Sequence, residues 1–178
     1  MRGKTLLWLV GLEFGLSALL VAAARRGVVL PPDLLPEGWE TLPGPRARVV
    51  SVAMGEVGPQ DSAKYWAGVL PATYHGEYPT DWCGGFALWV LKQAGLAPNM
   101  VWEVGRGFCY KLPQTTAPEP GDIAYFQTNQ HQAVIVEVGG PSITTVDGNQ
   151  RGFVRVIKRP RGAATAFYSV APLIAGSV

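Results

Sequence analysis

The chain has 178 residues, 48% of them hydrophobic and only 16% charged, with a net charge of +2 at pH 7. That length suits one domain with its own core, and the composition excludes a charge-rich disordered chain and gives no electrostatic footprint for nucleic acid. Two cysteines cannot by themselves supply a disulfide framework or a zinc site, and two histidines add little metal capacity, so no metal or organic cofactor is expected.

Residues 5–24 are an apolar run, preceded by Arg2 and Lys4 and closed by Arg25 and Arg26. A helix of about 20 residues reaches about 30 Å, the thickness of a bilayer core. Ala22-Ala23-Ala24 also offers a small-residue cleavage site, so residues 1–26 read as a secretory signal peptide or a retained signal-anchor helix. Glu13 in mid-run costs about 2.5–3.5 kcal/mol in a bilayer if it behaves as Asp does, and each leucine recovers about 0.3–0.6. Insertion is therefore weak, and an ordinary buried helix is the plainer reading. The expectation is an exported or membrane-anchored protein, the folded part outside the cytoplasm.

Residues 27–47 contain Pro31, Pro32, Pro36, Pro43 and Pro45 without periodicity and read as a Pro-rich tether. Residues 48–178 are the expected domain. A helix is predicted over 48–57, where Val49, Val50, Val52, Ala53 and Val57 recur at roughly helical spacing. Asp61 can cap a second short helix through Ala67, and residues 68–80 are rich in Gly, Pro and Tyr and read as loop. The clearest helix is 83–94, with Phe86, Val90 and Leu91 on one face and Gly95 to stop it. A long loop, 96–120, ends in Pro118-Glu119-Pro120-Gly121. Short β-branched or aromatic runs follow at 123–126, 133–138, 142–146 and 153–157, with a last one at 167–170. Helices first and a strand meander second predict an α+β fold, the helices packed on an antiparallel sheet.

Chemistry concentrates at Cys83. It opens the clearest helix, where unpaired amides and the positive end of the dipole favour a thiolate. Gly84 and Gly85 leave room for a substrate to approach the backbone, and the Cys83 amide can act as an oxyanion donor. A thiolate needs an imidazole partner, and His131 stands at the head of a strand 48 residues on. The imidazole needs an acceptor on its other nitrogen, and Asp147-Gly148-Asn149 offers Asp147 and Asn149. This order suits acyl transfer from an amide.

The segment from Trp82 to Gly95, WCGGFALWVLKQAG, resembles the nucleophile helix of CHAP domains, the cysteine, histidine-dependent amidohydrolases and peptidases. PGDIAYF at 120–126 is similar to the strand leading to that family's histidine, HQAVIV at 131–136 to the histidine strand, and TVDGN at 145–149 to the strand end carrying its acidic and amide residues. The family's usual small residue after the histidine is Gln132 here, and Asp147 stands where Glu is common. The resemblance implies a papain-like fold over residues 48–170 and a peptidoglycan hydrolase, an N-acetylmuramoyl-L-alanine amidase or an endopeptidase, of bacterial cell-wall or phage lysin type. Peptidoglycan would be its partner, together with the membrane through the N-terminal helix, and nucleic acid would not. It also implies a substrate-facing tyrosine ahead of the cysteine, for which Tyr78 and Tyr74 qualify. The alternative is a membrane-tethered virion or envelope protein that uses a CHAP-like fold for binding, without turnover.

Plainer readings stand beside these. A lone cysteine is usually a small buried hydrophobe, and Cys109 reads as that, with a silencing Cys83–Cys109 disulfide as the other option. His75, in the loop before Cys83, reads as solvated. Trp82 and Trp102 can line a glycan or peptide groove, although tryptophans mostly fill cores. Arg151, Arg155, Lys158, Arg159 and Arg161 form a basic run, suited to anionic polymers or headgroups, or to a solvated edge strand.

Overall fold

A computed structural model describes residues 28–29, 44–103 and 108–176. The expected apolar N-terminal helix and most of the Pro-rich stretch lie outside the described residues. Among those described, no helix is long and apolar enough to cross a membrane.

In chain order the elements are β1 (Val28–Val29), α1 (Gly44–Gly55), β2 (Gly58–Pro59), α2 (Ala63–Trp66), α3 (Cys83–Gln93), β3 (Ile123–Phe126), β4 (His131–Gly139), β5 (Ser142–Asp147), β6 (Phe153–Pro160), β7 (Ala166–Tyr168) and α4 (Ala171–Ile174). The sheet runs in the order β1-β6-β5-β4-β3-β7, with β2 also pairing β6, and every pair is antiparallel. This is the predicted α+β order.

Alternation along the strands sends successive side chains to opposite faces. Ile123, Val134, Val136, Val146, Val154 and Val156 face the helices and join Val49, Val50, Phe86, Val90 and Leu91 in the main core. Each large side chain fully buried there is worth about 1.5–3 kcal/mol. On the other face Ala124, Phe126, Ala133, Ile135 and Ile143 form a second, smaller cluster. The helix α3 ends on Gly95, whose φ of 78° suits a residue without a Cβ, and the Leu96 amide donates back to the Leu91 carbonyl at 2.9 Å.

Three expectations are corrected. The first helix begins at Gly44, not Arg48, so its opening turn contains Pro45, which the first turn tolerates because its missing N–H would be unpaired there anyway. That turn carries Arg46, which donates to Asp122 Oδ1 at 2.8 Å and to the Pro120 carbonyl at 2.9 Å. Within the expected tether, Val28–Val29 pair with Lys158 and Ile157, so β6 is covered rather than an edge. The basic run is split by the pleat as well: Lys158 is exposed, whereas Arg159 is buried.

Candidate active site

Cys83 is the first residue of α3, buried, with Trp82 before it making no side-chain cap to the first turn. His131 is the first residue of β4, placed by a tight connection from β3 in which Gln130 takes a left-handed φ of 50° and Phe126 pairs with His131. Asp147 is the last residue of β5, and it is fully buried. The helix start and the two strand ends thus bring together three residues that are 64 positions apart at most.

His131 Nε2 lies 2.6 Å from Asp147 Oδ2. That contact makes Nε2 the donor to an ionised carboxylate and leaves Nδ1 for the thiol. Asp147 is fully partnered. Thr145 Oγ1 donates to its Oδ1 at 2.5 Å, and the two terminal nitrogens of Arg159 donate to Oδ2 at 3.0 and 2.9 Å.

Electrostatics follow this geometry. Burial would push the Cys83 thiol up, but its hydrogen bond to His131, the His131 charge and the amides of Gln132 and Gly84 more than offset that, and the thiol titrates below its ordinary value. Burial would likewise depress the His131 imidazole, yet bonding to Asp147 and Cys83 holds it up at about 9. For Asp147, burial favours the neutral acid, and Arg159, His131 and Thr145 reverse it and hold the carboxyl low. Each group thus stabilises the charged form of the next. The site favours a thiolate–imidazolium pair backed by a carboxylate.

The remaining expected site residues are placed differently. Asn149 has φ 59° and donates through Nδ2 to Asp81 Oδ1 at 3.3 Å, so Asp147, not Asn149, holds the imidazole in this structure. Gln150 is nearer the ring, its amide 3.5 Å from His131 Nε2. Gly84 lies beneath Trp102 and Gln132. Tyr78 is exposed in the loop leading to α3, as is His75. The groove role expected for Trp82 is corrected. It is 4% exposed and stacks on Tyr65 with centroids 5.1 Å apart, inside the core. Trp102, the other expected groove residue, is partly exposed and lies over Gly84. Cys83 and Cys109 are both free thiols. Burial pushes Cys109 up to about 12.

Arg159 and Thr145 were not distinguishable as site residues in the sequence. The available signal was strand parity: 145, 147 and 159 lie on the sheet face that carries His131, because Thr145 pairs with Ile157 and Asp147 with Arg155.

A thiolate held beside an imidazolium, with a helix start behind it, is equipped for nucleophilic acyl transfer. The class defined by this fold and site is that of the cysteine–histidine hydrolases. Residues 73–149 match the family model of the CHAP domain, a match consistent with a cysteine, histidine-dependent amidohydrolase or peptidase. The matched stretch includes Cys83, His131, Asp147 and Asn149. No curated protein matches the chain.

Proposed function

We propose that the protein is a peptidoglycan hydrolase that cleaves an amide bond, as an N-acetylmuramoyl-L-alanine amidase or an endopeptidase, with Cys83 as nucleophile and His131 as acid and base. The observation that carries the reading is the Cys83–His131–Asp147 chain at the helix start, inside the stretch matched by the CHAP domain.

In this scheme Cys83 Sγ attacks the carbonyl carbon, and the oxygen takes up the negative charge near the Cys83 amide in the uncapped first turn. The C–N bond breaks as the proton on His131 Nδ1 passes to the leaving nitrogen. Water then attacks the thioester and gives its proton to Nδ1, the C–S bond breaks, and the carboxylic acid leaves with the thiolate–imidazolium pair restored. Asp147 keeps the ring in the tautomer and orientation that both steps need. Trp102 over Gly84 offers an aromatic wall for the substrate. Action on the wall places the domain outside the cytoplasm, consistent with reading residues 1–26 as an export or anchor segment.

Digestion of purified peptidoglycan, followed by mass spectrometry of the soluble products, tests the proposal. The expected products are new peptide N-termini for an endopeptidase, or free stem peptides with bare glycan for an amidase, and none with Cys83→Ala. Equal digestion by Cys83→Ala overturns it. So does an absence of products from the native chain on walls of differing stem and cross-bridge chemistry.

A further inference from the structure

Arg159 is an unusual residue to bury. It sits on β6, 6% exposed, ten positions beyond the stretch matched by the CHAP domain, in a run of basic residues that otherwise faces solvent or partial exposure. A buried guanidinium is costly unless its charge and donors are matched. Here Nη1 and Nη2 both reach Asp147 Oδ2, Nη1 also reaches Thr145 Oγ1 at 3.0 Å, and the guanidinium carbon lies 4.5 Å from the centroid of the Phe126 ring. Phe126 is in turn 6.0 Å from the His131 ring, centroid to centroid. Arg159 therefore braces both the carboxylate and the aromatic wall behind the imidazole.

The other charged groups around His131 come from three elements. Cys83 faces it from α3 and Asp147 from β5, with Arg159 from β6 behind Asp147. Arg155, opposite Asp147 in register, turns over the Phe153 ring at 4.8 Å. Counting Cys83 as thiolate and His131 as imidazolium, the thiolate and Asp147 carry two negative charges, and His131 and Arg159 carry two positive ones. Without Arg159 the buried group holds a net negative charge, and ionising the thiol becomes harder.

We propose that Arg159 is a positioning residue: it locks Asp147 onto His131 Nε2 and supplies the buried positive charge that lets Cys83 ionise at neutral pH in a site that already holds the Asp147 carboxylate. The proposal rests on the reading of Cys83 and His131 as the reactive pair, but not on the identity of the substrate.

The test compares the native chain with Arg159→Gln, which keeps a donor for Asp147 without the charge, and Arg159→Lys, which keeps the charge without the two-pronged contact. The readout is the pH dependence of Cys83 alkylation by iodoacetamide, followed at the peptide level, together with NMR titration of the His131 ring, assigned with His75→Gln. Removing a nearby positive charge raises the titration of both groups, so Arg159→Gln shifts the acid limb of alkylation and the His131 midpoint upward by about one pH unit. Arg159→Lys stays within about 0.3 unit of the native midpoints on the same electrostatic argument. Midpoints for Arg159→Gln that coincide with the native ones, or an equal shift in Arg159→Lys, overturn the proposal. Should Arg159→Gln not fold, the same measurement on Arg159→Lys decides, because retained charge must retain the midpoints. Both readouts are independent of wall digestion, so a failure here is separable from a failure of the hydrolase reading.

Discussion

Trp102 covers Gly84 so closely that a methyl group built on Gly84 would lie 2.2 Å from Trp102 Cη2 and 2.7 Å from Gln132 Nε2. The missing side chain at Gly84 is thus what allows an aromatic ring to pass over the residue that follows Cys83. Trp102 is fixed from behind by its amide, which donates to the Val69 carbonyl at 2.7 Å, and by an edge contact with Trp66 at 5.5 Å.

Gly84→Ala should therefore displace Trp102, costing about 1–3 kcal/mol in stability as an overpacked site, and should lower wall digestion as well. The ring that clashes is the movable partner, so Trp102→Ala added to Gly84→Ala should restore part of the stability. Chemical denaturation of the two single variants and the double variant measures this as a coupling energy. Strict additivity would mean that the two positions do not touch.

The ionised pair predicts a bell-shaped pH dependence of wall digestion. Cys83 is lowered from its ordinary thiol value, so activity rises on the acid side as the pair gains its thiolate. His131 is held up at about 9, so the proton needed by the leaving nitrogen is lost as the pH passes that value, and activity falls. The two limbs belong to the coupled pair rather than to either residue. Rates measured from pH 5 to 11 on one wall preparation give both, and a profile still rising above about pH 10 would contradict the assignment of His131 as acid.

The two thiols should differ sharply in reactivity. Cys109 is buried beside Phe108 and Leu112 in the main core, and its thiol is pushed up to about 12, whereas Cys83 is lowered. Brief treatment of the native protein with iodoacetamide at pH 7 should modify Cys83 alone, and both cysteines should react after unfolding. Peptide mapping distinguishes the two, and the same map reports any Cys83–Cys109 disulfide in protein handled without reductant.

Much of this site is legible in the sequence because its members sit where local rules place them. Cys83 follows from a helix start with a Gly pair behind it, and His131 and Asp147 from the ends of β-branched runs. Arg159 is not legible in that way. A basic residue in a basic run reads as solvated, and only the strand register, with Thr145 opposite Ile157, shows that its face is the interior one. Trp82 fails for the same reason in reverse, since an aromatic beside Cys83 has two directions to point and the stacking on Tyr65 chooses the core. The first turn of α1 was hidden by Pro43 and Pro45, which read as tether until Arg46 is seen reaching Asp122 across 76 positions.

That long contact makes Asp122 a second buried, fully partnered carboxylate in addition to Asp147. It is 1% exposed, accepts from Arg46 at 2.8 Å, and takes the amides of Glu119 and Val170 at 2.9 and 3.0 Å. Asp122→Ala strips one partner from a buried pair and leaves two amides unpaired, a change worth about 3–5 kcal/mol of destabilisation. The melting temperature should fall steeply. Because the residue faces α1 and the C-terminal turn rather than Cys83, the pH limbs of alkylation in protein that remains folded should stay unchanged.

Asp147 allows stability and catalysis to be separated. Asp147→Asn removes the charge that Arg159 and His131 share, leaving a buried guanidinium without a counter-ion, which costs about 3–5 kcal/mol. It also removes the anion that stabilises the imidazolium, and wall digestion should fall by about two to four orders of magnitude. Replacing Arg159 by Leu in the Asp147→Asn background takes the stranded charge away and leaves a leucine against Phe126, Ile143 and Ile157. Unfolding experiments should then find the double variant more stable than Asp147→Asn alone, while digestion stays at the low level. Activity returning together with stability would mean that Asp147 acts only by holding the sheet together and has no part in orienting His131.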